Sequence, residues 1–61
     1  MLRIKTILMT RDGLTSNEAD EAIEEARQAL YNYLEHEEED LAYNICQEYF
    51  GLEPDYIDEL F

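Results

Sequence analysis

Only four of the 61 residues are Lys or Arg, and three of them, Arg3, Lys5 and Arg11, lie in the first eleven positions. That scarcity excludes more than it suggests. Duplex nucleic acid and anionic membranes attract proteins chiefly by counter-charge. A chain with sixteen Asp and Glu and a formal net charge of −12 is repelled by both. Cysteine is scarce too. Cys46 stands alone, so no internal disulfide can form, which fits a reducing cytoplasm. No apolar run approaches the roughly 18 residues that would span a bilayer. The first eleven residues break their apolar positions with Arg3, Lys5 and Thr6, unlike the unbroken apolar stretch of a signal peptide. A soluble cytoplasmic protein is expected. There are no repeats and no linker long enough to divide the chain, so residues 1–61 read as a single helical domain. Also missing is any legible general base, nucleophile or oxyanion group. No enzyme is expected, and no cofactor.

What is present is enough apolar material to fold. At 46% apolar residues the composition is that of a globular domain, not of a disordered acidic tail. A domain this small buries only about 60% of its unfolded surface, so its packing must be good. The expected fold is all-α, a small three- to four-helix bundle with helices at about 2–11, 15–35, 39–50 and 54–60. Residues 2–11 fit helix and strand periodicity equally well; helix is chosen because nothing else in the chain could pair with a strand. Its three cations should dock it on the acidic remainder. Gly13 ends that helix. Thr15 and Glu18 then form a capping box, with Leu14 stapled toward Ala19. Ala19, Ala22, Ile23, Ala26, Leu30, Tyr33 and Leu34 recur at helical spacing. Leu41, Ala42, Ile45, Cys46, Tyr49 and Phe50 give residues 39–50 a wide apolar face, which predicts the central element of the bundle. Gly51 closes that helix, Glu53 caps the last one and Pro54 opens it. Tyr56, Ile57, Leu60 and Phe61 form the last core face.

Three features invite functional readings. His36 beside Glu37-Glu38-Glu39-Asp40 suggests a metal, but the run lacks the alternate spacing and glycine of a Ca²⁺ loop, and a lone His has no partner at i+3 or i+4. A solvated helix start is the expected reading, with no metal. Cys46 sits on an apolar helix face, where a thiol is inert. Residues 41–50 contain no Lys or Arg, which rules out a recognition helix for DNA. Five tyrosines are many for this length. Tyr33, Tyr49 and Tyr56 fall on core faces with Phe50 and Phe61, whereas Tyr31 and Tyr43 fall at face edges among carboxylates, a setting common in protein interfaces. The plainer alternative, that the tyrosines only shield a small core with their hydroxyls in water, is the favoured one.

Gly13-Leu14-Thr15-x-x-Glu18-Ala19, then Ile23-Glu24-Glu25-Ala26-Arg27, then Gly51-Leu52-Glu53-Pro54-Asp55-Tyr56-Ile57 together carry a resemblance over nearly all of the chain. In them the chain resembles short, acidic, uncharacterised helical proteins of bacteriophages and prophages. The resemblance implies a phage-encoded accessory protein acting inside a bacterial host cell, and no particular activity.

The expected function is a non-enzymatic acidic interaction protein. Its partner is a basic surface on a host or phage protein, in the sharper version one that the carboxylates enter as a nucleic-acid mimic. Direct nucleic-acid binding and membrane binding are not expected. The candidate partner-binding surface is Tyr31, Glu35, Glu37, Glu38, Glu39, Asp40 and Tyr43. The alternative is a small structural or assembly component, or a homodimer, in which acidity only maintains solubility. Massed carboxylates should raise one another's pKa. Stability is then expected to rise as the pH falls from neutral, and to rise with added salt.

Overall fold

The computed structural model describes residues 3–61. Among them the chain forms helices only: α1 (Arg3–Arg11), α2 (Ser16–Glu35), α3 (Glu39–Tyr43), α4 (Ile45–Phe50) and a 3-10 helix (Pro54–Leu60). The expected all-α bundle is what the chain adopts. Leu2, expected as the first residue of the first helix, lies outside the described residues.

α1 buries Ile4 and Leu8, one turn apart. It stops where Gly13 takes φ 71° and the amides of Asp12 and Leu14 both donate to the Leu8 carbonyl, at 3.2 and 3.3 Å. α2 starts on the expected capping box. The Glu18 amide donates to Thr15 Oγ1 at 3.2 Å and the Thr15 amide to Glu18 Oε1 at 2.9 Å. Ala19, Ile23, Ala26 and Leu30 then keep one stripe of α2 buried, and Leu14 packs on the core from outside. Twenty residues at 1.5 Å rise make a rod of about 30 Å. That rod sets the longest extent of the molecule, 33 Å against 19 and 18 Å. Every other helix packs on α2.

α2, not residues 39–50, is therefore the central element. The expected continuous helix 39–50 is broken at Asn44, which holds φ −93° and ψ 9°. Its Nδ2 donates to the Asp40 carbonyl at 3.0 Å, beside its own amide at 3.3 Å. A short polar side chain that bonds the preceding turn competes with the helical ladder, and here it accompanies the break. Ala42, Ile45, Cys46 and Phe50 still reach the core, while Leu41 and Tyr49, expected inside, are 46% and 43% exposed. Gly51 at φ 66° closes α4 as expected, its amide donating to Gln47 at 3.0 Å.

The last helix is 3-10, which changes which residues share a face. With three residues per turn, positions three apart eclipse. Pro54, Ile57 and Leu60 share one stripe, in which Ile57 packs on the core and Leu60 is fully buried. Tyr56 and Glu59 form a second stripe, turned to α1. Asp55, Asp58 and the Phe61 position fall on the third, which faces solvent. The α-helical spacing that put Phe61 in the core fails for this reason, and Phe61 is 65% exposed. Glu53 makes no side-chain cap; its carbonyl accepts from the Tyr56 amide at 3.2 Å instead.

The two ends of the described chain are tied by polar contacts 55 and 56 residues apart in sequence. The Ile4 amide, in the first turn of α1, donates to Glu59 Oε1 at 3.0 Å, and Arg3 Nε donates to Oε2 at 2.9 Å. The Arg3 guanidinium lies 4.7 Å from the centre of the Tyr56 ring. Two further arginines serve helix C-termini from neighbouring elements. Arg11 Nη2 donates to the Phe50 carbonyl at the end of α4, 2.6 Å, and Arg27 Nε to the Leu60 carbonyl at the end of the 3-10 helix, 2.9 Å. A cation at the negative end of a helix is favourable. Lys5 reaches Asp20 on α2 at 2.9 Å. The expected docking of the N-terminal segment is thus present in detail.

The core at Ile45 and the cap at Glu59 give two checks. Ile45→Ala removes a fully buried side chain where α2 and α4 meet; it should cost about 2–5 kcal/mol in a urea melt, and an unchanged midpoint would place α4 outside the core. Burial pushes the Glu59 carboxyl up, but the bonds from Ile4 and Arg3 and the guanidinium charge outweigh burial and hold its pKa below the usual value. Hydrogen bonds from Arg11 lower Asp12 likewise, and those from Thr15 lower Glu18. Asp12, Glu18 and Glu59 thus all go down, against the upward shift expected from charge crowding. A lowered folded pKa stabilises above the unfolded value and is lost as the pH falls through the folded one. Melting temperature should therefore fall on acidification below about pH 5. Glu59→Gln should lose about 1–2 kcal/mol at neutral pH and flatten that acid limb. A protein that grows more stable toward pH 4 would show that repulsion among the other carboxylates dominates.

Candidate functional site

The candidate surface begins where α2 ends. His36 follows the helix with its amide donating to the Asn32 carbonyl at 3.2 Å, and its Nδ1 lies 2.8 Å from the same oxygen. A carbonyl can only accept, so Nδ1 carries the proton. His36 is thus a helix-end group, and among the described residues no set of three or more His, Cys, Asp or Glu is placed to hold a metal ion. The chain then reverses. The Glu37 amide donates to Leu34 at 3.2 Å and the Glu38 amide to Tyr33 at 2.8 Å. That pair of bonds requires a left-handed residue between them, and Glu37 supplies it at φ 58°. Glycine is the usual occupant of such a position, because a side chain there is strained.

The turn opens into α3, and Glu37, Glu38, Glu39 and Asp40 line one open depression of about 400 Å³ with Leu41 as its apolar wall. Two electrostatic settings meet here. Glu39 and Asp40 lie in the first turn of α3, where negative charge is favoured. Glu35, Glu37 and Glu38 lie at the negative end of α2, which has no basic residue in its last turn. Acid at that end opposes the helix dipole.

Of the expected surface residues, Glu37, Glu38, Glu39 and Asp40 are thus brought together. Glu35 is exposed in the last turn of α2, one turn after exposed Tyr31, and Tyr43 is 58% exposed at the end of α3, one turn after Glu39. Neither tyrosine lines the depression. The sequence reading missed Leu41, which it placed in the core. It also missed a second group beside the turn. Tyr33 is half-buried, and its hydroxyl is pushed above the usual pKa by burial and then by Glu48, Tyr49 and Glu38. Those three residues come from α4 and the turn, and only the fold brings them to Tyr33.

The rest of the surface is allocated unevenly. Of sixteen Asp and Glu residues, Glu59, Asp20, Asp12 and Glu24 pair with the four cations, and Glu18 closes the capping box. The other eleven form no ion pair or side-chain hydrogen bond among the described residues. Cys46 is buried, and burial, with Glu59 adding to it, pushes its thiol up, which disfavours the thiolate. No helix among the described residues is long and apolar enough to cross a membrane. No family model, curated protein or solved structure matches the chain.

The strain at Glu37 can be measured. Glu37→Gly relieves a side chain at positive φ and removes an acid from the negative end of α2. It should raise stability by about 0.5–1 kcal/mol despite the added freedom of the unfolded chain. A destabilised variant would show that the Glu37 side chain holds the turn through a favourable contact.

Proposed function

We propose that this is a non-enzymatic interaction protein whose acidic surface binds a basic surface on another protein. The observation that carries the reading is the allocation of the cations. All four are held in ion pairs within the chain, so the unpaired carboxylates face outward without internal compensation. Complementary charge of this kind speeds encounter and makes it salt-sensitive. The strained, dipole-opposed acids of the α2–α3 turn point the same way, since local rules of stability are most often broken where function requires it.

The resemblance to phage and prophage proteins supports a host or phage partner inside a bacterial cell. A nucleic-acid mimic is the narrower form, in which the carboxylates take a site shaped for phosphates. Self-assembly is the weaker reading. Exposed Leu34, Leu41 and Tyr49 each adjoin an acidic residue, Glu35, Asp40 and Glu48, so two copies meeting there would bring like charges together.

Capture from bacterial lysate at low salt, identification of the retained protein, and titration of the purified pair test the reading. The expected partner is basic, with an association rate that falls steeply as salt rises. Competition by duplex DNA would mark the mimic form. A partner bound equally well at high salt, or a concentration-dependent dimer with no other partner, would favour the assembly role.

A further inference from the structure

One face of α2 is roofed by two helices in turn and then left open. Asp20, Arg27, Tyr31 and Leu34 fall within about 60° of one another around the helix axis, beside the buried stripe. At Asp20 the roof is α1, whose Lys5 reaches it at 2.9 Å. At Arg27 the roof is the end of the 3-10 helix, whose Leu60 carbonyl accepts from Arg27 Nε at 2.9 Å. Tyr31 and Leu34 stand one and two turns further on, 45% and 41% exposed. The peptide bond that Arg27 holds joins Leu60 to Phe61, so Phe61, 65% exposed, starts beside this face.

The rim of the open stretch has one sign. Glu35 follows Leu34 and lies one turn beyond Tyr31. The Glu37 amide donates to the Leu34 carbonyl at 3.2 Å. Asp58 shares the solvent stripe of the Phe61 position. None of these three acids forms an ion pair among the described residues. The cation of this face, Arg27, is already held by Glu24 at 2.9 Å and by the Leu60 carbonyl.

We infer that Tyr31, Leu34 and Phe61 receive a basic amphipathic helix of the partner protein, which continues the line of packing that α1 and the 3-10 helix begin. The inference rests on the acidic-interaction reading and adds the apolar half of the recognised surface. An apolar centre inside a polar rim is the common build of a protein interface. The occupant is a helix because both elements already seated on this face are helices. Tyr31 and Leu34, about 4.5 Å apart along the axis, also continue a ridge of the kind that interleaves with the side chains of a second helix. The stretch from Arg27 to Leu34 is about 10 Å, so two to three turns fill it. The occupant is basic because its flanks meet Glu35, Glu37 and Asp58. A second copy of this chain would set the same acids against themselves, at a net charge of −12 on each side.

The test is an NMR titration of the ¹⁵N-labelled protein with three synthetic peptides about three turns long. The first carries leucine along one helical face and lysine elsewhere. The second has the same composition in an order that forms no apolar face, and the third has glutamate in place of each lysine of the first. The first peptide should bind several-fold tighter than the second, and the third not at all. Shift changes with the first should centre on Tyr31, Leu34 and Phe61. Tyr31→Ser with Leu34→Ser should weaken it about tenfold, and Tyr31→Ala alone, with Leu34 in place, several-fold. A control double variant, Leu41→Ser with Tyr49→Ser, alters side chains 46% and 43% exposed elsewhere and should change binding less than about twofold. The amide spectrum of each variant checks its fold. Equal weakening by the two double variants, or the first two peptides bound alike, would overturn the docking face and leave a diffuse acidic surface. A dimer of the unaltered protein that Tyr31→Ser with Leu34→Ser disperses would give the face to a second copy and overturn the basic occupant. Neither lysine peptide bound, or the glutamate peptide bound as well as the first, would overturn the docking face and the acidic-interaction reading together.

Discussion

Four cations must serve sixteen carboxylates, and the fold depends on where they are placed. Each one ties separate turns or elements, or secures a helix end. Arg3 and the Ile4 amide meet at Glu59, Lys5 holds α1 to α2, Arg11 reaches the end of α4, and Arg27 reaches the end of the 3-10 helix. Exposed ion pairs contribute little one at a time. These matter through the backbone groups they satisfy, because short helices leave a large share of their amides and carbonyls unpaired. The six-residue α4 and the seven-residue 3-10 helix would be marginal alone. Their ends are completed by side chains from α1 and α2.

The same allocation divides the surface into two kinds of carboxylate. Glu59, Asp12 and Glu18 are held by donors, and their lowered pKa values record a net gain from being charged. The acids of the α2–α3 turn sit partly at the wrong end of a helix dipole, one of them at positive φ. A chain selected only for stability would place glycine at position 37 and a basic residue in the last turn of α2. Glu37 and Glu38 at that end lower stability locally, whereas Glu39 and Asp40 sit at the favourable end of α3.

Much of the fold was legible because it is written in local chemistry. Thr15 with Glu18, Gly13 and Gly51 each demand one backbone geometry, and each boundary falls beside them. The buried stripe of α2 follows from spacing as far as Leu30, whereas Leu34, expected on the same face, is 41% exposed. What was not legible depends on competition or on contacts distant in sequence. The reversal at Glu37 carries no glycine to announce it. Asn44 is an ordinary helix residue until its side chain bonds Asp40. The 3-10 form of residues 54–60 rests on two stripes being used at once, one by the core and one by Arg3, and that requires α1 to be in place. Of the candidate site, the acidic run was visible as composition, and the fold gathers it around Leu41. Tyr33 and Glu48 could not be joined from sequence, because fifteen positions and two turns separate them.

On the proposed function, the constraint on cations also links stability to recognition. Salt weakens the exposed internal pairs and any contact with a basic partner through the same screening. The two differ in what remains. Arg11 on Phe50 and Arg27 on Leu60 keep their bonds to backbone carbonyls when Coulomb attraction is screened, and Ile4, Leu30, Ile45 and Leu60 stay buried around them. A partner's side chain on the turn has no such core behind it. On the proposed function, recognition should therefore fail at a lower salt concentration than folding does.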